Sequence, residues 1–108
     1  MHTLTYMHIY IHIYSAALNY DRAAELYKSI NEYESALDMT IKVAECHEAY
    51  NALMSVAVAY GKASQLAKSM HKPGVAAEML VKAADYWGLS GDISKYGETL
   101  AKAAKEVG

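Results

Sequence analysis

Lys62 and Lys68 are the residues whose type and spacing first suggest chemistry. Neither has an acidic residue within one helical turn. From Ala49 to Ala77 there is no Asp or Glu, while Lys62, Lys68 and Lys72 are present. The whole chain is acidic, with 10 Lys+Arg against 12 Asp+Glu. Its middle is therefore basic. A cation with no local acid is a candidate contact for an external acidic partner, and such a contact is expected to be salt-sensitive. Lys42 and Lys82 are different. Lys42 has Asp38 four residues before it and Glu45 three after, and Lys82 has Glu78 and Asp85 in the same places. These read as solvated pairs on one helix, worth about 0.2–0.5 kcal/mol each.

The remaining reactive side chains do not assemble into a site. His8 and His12 stand four apart, but two ligands do not close a zinc site, and nothing nearby supplies the others. Cys46 and His47 are adjacent, so on a helix they point about 100° apart. No third residue orients a base beside them. There is no Gly-rich phosphate loop. No catalytic residue, cofactor or metal is expected.

The elements that must position these lysines read as helices. The central one is Ala49 to Met70. Leu53, Val56, Ala57, Tyr60, Ala63, Ala67 and Met70 are spaced by three or four, and Ala52, Ala59 and Leu66 widen the face. A face that wide needs neighbours on two sides. Asn51 is expected to cap its start, and Pro73 to follow its end. Other helices are expected over Ser15–Ile30, Glu32–Ala49 and Gly74–Trp87, with Asp92 capping a fifth that reaches about Glu106. Asn31 marks a tight turn, and Gly88 to Gly91 reads as a loop. Short connections make antiparallel hairpins.

At 108 residues the chain is one domain at most. Ala-rich apolar content and a single Pro favour close helix packing. A net charge of −2 argues against a nucleic-acid binder. One Cys excludes an internal disulfide and fits a reducing compartment, so a cytoplasmic location is expected. No apolar run reaches the length of a membrane span.

Residues 1–14 stand apart. Met7, Ile9, Ile11 and Ile13 alternate with Tyr6, His8, Tyr10, His12 and Tyr14, which is a strand period. The stretch uses almost only His, Ile and Tyr, residues that a CA/TA-rich repeat encodes. This leader is expected to lie outside the evolved domain, as read-through from a non-coding repeat. The domain is placed at residues 15–108.

The chain matches itself at a shift of forty. Ile41 to His47 lies over Val81 to Trp87. Small residues recur at 17/57/97, 23/63/103 and 24/64/104, and large ones at 20/60/100. Two helices per forty residues predict an all-α, right-handed α-solenoid of tetratricopeptide-like hairpins. Charge recurs as well, with Arg22, Lys62 and Lys102 in one column and Lys28 and Lys68 in another. These five are the candidate partner-binding residues, and stacking is expected to turn them into one basic stripe.

Past the leader, the chain resembles the soluble NSF attachment proteins, the gamma class more than the alpha class. The resemblance runs through SAALNYDRAAELYKSINEYESAL, IKVAECHEAYNALMSVAVAYGKASQLAKSMHK and AAEMLVKAADYWGLSGD. It implies a helical-repeat adaptor that docks on assembled SNARE complexes and recruits the NSF ATPase, acting in vesicle-mediated transport while peripheral to membranes. It implies no active site. The chain is much shorter than that family's pattern. It corresponds to an early-middle part of the solenoid, without the end that engages the ATPase. A generic helical scaffold for another protein is the alternative.

Overall fold

The computed structural model describes residues 2–108. They form five helices: α1 (His2–Ser29), α2 (Tyr33–Ala49), α3 (Leu53–Ser69), α4 (Pro73–Leu89) and α5 (Ile93–Val107). There is no strand among the described residues.

The four connections are one device repeated every twenty residues. Asn31, Asn51, His71 and Gly91 all have positive φ, at 62°, 60°, 58° and 91°. Each donates its N–H three residues back, as in Asn31 to Lys28 at 3.0 Å. The next residue donates five back, as in Glu32 to Tyr27 at 2.8 Å. Together these bonds form a Schellman motif, which satisfies the last carbonyls of the helix. The second residue then starts the following helix. The carbonyls of Glu32, Ala52, Lys72 and Asp92 accept from Ala36, Val56, Ala76 and Tyr96. One residue thus ends one helix and begins the next, so the chain reverses without a loop.

This geometry corrects the expected cap at Asn51. Asn51 holds the left-handed position, and Ala52 starts α3 with no side-chain cap. Asn tolerates that conformation better than most residues. Asp92 caps α5 as expected, accepting from the Lys95 N–H at 3.0 Å. Pro73 opens α4. Gly88 and Leu89 are helical, so the expected loop shrinks to the turn after them.

Each helix packs on its sequence neighbours. Alternate helices lie side by side, giving one layer of α1, α3 and α5 and a second of α2 and α4. The Cα envelope is 53 × 36 × 15 Å. Its thin dimension is what two layers need when axes stand about 8–10 Å apart. The core lies between the layers. Val56, Ala63 and Ala67 of α3, Ala36 and Ala44 of α2, and Ala76 and Ala84 of α4 are fully buried. Alanine at these crossings lets the axes approach, while Tyr60, Leu66 and Met79 fill the spaces between. Ala17 and Ala57 are buried, and so are Ala24 and Ser64. On α5 the same columns, at Gly97 and Ala104, are exposed because no further helix covers them.

The leader departs from its strand pattern. Met1 lies outside the described residues; from His2 onward the leader is helical and continuous with α1. An alternating segment with no partner strand has no backbone bonds to make as a strand. Between His2 and Ser29 there is no Gly or Pro to stop helix propagation. Wound as a helix, the alternating residues point all ways. Tyr6, Met7, Ile9, Tyr10 and Ile11 are all exposed.

Candidate partner-binding face

The layer of α1, α3 and α5 carries all five candidate lysines and arginines. Arg22, Lys28, Lys62, Lys68 and Lys102 are exposed. Their columns take opposite directions. Lys62 lines the cleft between α1 and α3, and Lys102 the cleft between α3 and α5, so each faces the preceding helix of the layer. Lys28 and Lys68 line the same two clefts from the other side. Arg22 has no preceding helix in the layer and lies on the open surface. The single stripe expected from the columns therefore resolves into two clefts.

Lys62 and Lys68 are not unpaired. Lys62 Nζ is 3.6 Å from Asp21 of α1, and Lys68 Nζ is 3.1 Å from Glu106 of α5. Lys72 Nζ is 3.2 Å from Glu34, across the second layer. The acids lie 38 to 41 residues away in sequence, and only stacking brings them near. Lys42 and Lys82, expected to pair along their own helices, form no ion pair among the described residues. Their ammonium groups lie over the rings of Tyr20 and Tyr60, at 5.7 and 5.5 Å. The two contacts are copies at a shift of forty. Each lysine reaches sideways to the preceding helix because an aromatic face stands there, within cation–π range.

The two clefts differ in charge. The α1/α3 cleft holds Lys28 and Lys62 against Asp21 and Glu25. The α3/α5 cleft holds Lys68, Lys102 and Lys105 against Glu106 alone. At a shift of forty, Gly61 and Gln65 replace Asp21 and Glu25, and Lys105 and Glu106 replace Gln65 and Leu66, which together tip the balance. Lys72 and His71 extend this second cleft at the α3–α4 turn. Its floor is apolar, formed by Ala76 and Leu80 of α4. Lys105 and Lys72 were not among the residues singled out by column, because neither has a cation one repeat away.

Above Asp21 and Lys62, the α1/α3 cleft opens into an apolar groove of about 430 Å³. Leu18, Met54 and Val58 line it, and Val43 and His47 of α2 form its floor. His47 Nδ1 and the Tyr50 hydroxyl are hydrogen-bonded at 2.5 Å. Burial lowers the His47 pKa, and the nearby Asp21 charge works against that shift. Burial also raises the Cys46 thiol, so this cysteine is a poor nucleophile at neutral pH. His8 and His12 are exposed on α1 and line neither cleft.

A family model for the soluble NSF attachment proteins matches residues 11–107. The chain belongs to that family. The comparison with curated proteins and that with solved structures each found no significant match. The match begins four residues before the expected domain start, within the helical leader. Membership and the five-helix architecture agree with the expected all-α hairpin repeat. Among the described residues, no helix of this family member is long and apolar enough to cross a membrane.

Proposed function

We propose that the chain is an adaptor of the gamma class of soluble NSF attachment proteins. In this reading it binds assembled SNARE complexes within the NSF-driven disassembly that the family serves, in the cytoplasm and peripheral to membranes. It is a binding module and not an enzyme. Family membership over residues 11–107 carries the reading. The α3/α5 cleft supports it with a place for an acidic helical surface. Three lysines converge there over an apolar floor, opposed by one glutamate. A helix bundle laid along that layer would meet the cations of both columns, Arg22, Lys28, Lys62, Lys68 and Lys102, with the second cleft contributing most.

The test is capture of assembled SNARE complex by the full chain, with and without NSF, at two salt concentrations. Binding that weakens with salt is expected. Replacing Lys68 and Lys102 by Glu should reduce capture at least tenfold, and replacing Lys42 and Lys82 by Glu should reduce it less. Equal loss in both double variants removes the cleft from the proposal. Capture of unrelated acidic proteins as strongly as SNARE complex would instead support the generic scaffold.

A further inference from the structure

We propose that two copies of this chain pair through the exposed part of α1, as an antiparallel helix dimer. Leu4, Met7, Ile11, Tyr14 and Leu18 are spaced by three, four, three and four. That is an a/d seam, the pattern by which one helix packs on another. All five are exposed, between 44% and 63%. At 100° per residue, the seam lies about 130° round the helix from the face at Ala17, Tyr20 and Ala24 that packs on α2. Among the described residues no element covers it from Leu4 to Ile11, while Tyr14 and Leu18 open onto the groove between α1 and α3. The next two positions in the same register are Asp21 and Glu25, so the apolar seam ends where α1 becomes charged.

Three observations select a second copy as the occupant. The seam spacing asks for a helix rather than a strand or a flat surface. From His2 to Tyr20 there is no Asp, Glu, Lys or Arg, so a charged partner helix would find nothing to answer it, while a second α1 meets no like charge. The seam is also self-complementary when reversed. In antiparallel register, Leu4 meets Tyr14 of the second copy and Met7 meets Ile11 of the second copy. The two-fold axis then repeats both contacts. α1 runs about eleven residues past the end of α2, so the two overhangs can cross without their bodies colliding. Leu4 of each copy, set against Tyr14 of the other, then lies at the mouth of the other copy's apolar groove, where Leu18, Met54 and Val58 are exposed. One short seam is a small interface, so the dimer belongs to the weak, concentration-dependent class.

Sedimentation velocity of the full chain tests this, over a roughly hundredfold range centred in the micromolar regime. The wild-type chain should move from monomer to twice that mass. Met7→Glu and Ile11→Lys should each stay monomeric with unchanged melting temperature, because both sites are exposed. Mixed in equal amounts, the two variants should regain the dimer. Only the antiparallel register sets the carboxylate introduced by Met7→Glu in one copy against the ammonium introduced by Ile11→Lys in the other. A wild-type monomer throughout overturns the proposal. So does a dimer that survives in either single variant, or a mixture that remains monomeric. Flotation with neutral phosphatidylcholine vesicles gives a further check. If the wild-type chain floats, Met7→Glu does not, and the free chain is monomeric, then lipid covers the seam and the pairing is wrong.

Discussion

Lys62 of α3 stands 3.6 Å from Asp21 of α1, two helices away along the chain. The pair ties neighbouring helices of one layer that make no direct backbone approach to each other. Lys68–Glu106 does the same between α3 and α5, and Lys72–Glu34 between α2 and α4. Sequential helices are held by buried alanine crossings, and alternate helices are bridged at the surface by charge.

Reversing one member of the pair should be felt, though weakly. Lys62→Glu sets two carboxylates across the α1/α3 cleft. Both partners are about half exposed, so the expected loss is about 0.5–1 kcal/mol. Adding Asp21→Lys should recover most of it. Urea melts of the two variants and the wild type check this, and a double variant no more stable than Lys62→Glu would show that the pair contributes nothing.

Ala63 has no exposed surface and sits where α3 crosses its neighbours. Ala63→Leu adds volume that the crossing has no room for. The expected cost is about 1–3 kcal/mol through overpacking. Ala104→Leu is the control, because Ala104, in the neighbouring column 24/64/104, is exposed on α5. It should change the melting temperature little.

His71 holds the left-handed position of the α3–α4 turn at φ 58°. Gly adopts that conformation without a Cβ penalty. His71→Gly should raise stability by up to about 1 kcal/mol, and His71→Val should lower it by about 1–2 kcal/mol. Thermal melts giving the opposite order would mean that the turn relaxes out of the Schellman geometry.

Tyr86 should ionise late. Hydrogen bonding to the Glu48 carboxylate, then burial, then the charge of Glu48 push its pKa from 10.0 up to about 12. The folded phenol holds its proton more tightly than the unfolded one. The stability this supplies is complete below about pH 10 and is lost as pH rises toward 12. Absorbance titration should show a phenol ionising near pH 12, and Glu48→Gln should bring it forward. An unchanged titration in Glu48→Gln would sink the assignment.

The sequence by itself determined the helices, their register and the repeat. Apolar spacing in α3, Pro73 at the start of α4, and Asp92 before α5 act within one or two turns, so they are legible residue by residue. The small columns at 17/57 and 24/64 are legible because a stack must place small residues at each crossing. The tertiary structure decided everything that depends on which side chains meet across helices. Asn51 reads as a cap and is a left-handed turn residue, because its role depends on the helix before it as much as on the one after. The His-Ile-Tyr leader alternates like a strand and is a helix, because no second strand is present to pair with it. Lys62 and Lys68 look free and are paired, while Lys42 and Lys82 look paired and lie over tyrosines. Local spacing reports only neighbours on the same helix. Packing brings residues some forty positions apart within 4 Å, and that distance decides which charges are answered and which remain for a partner.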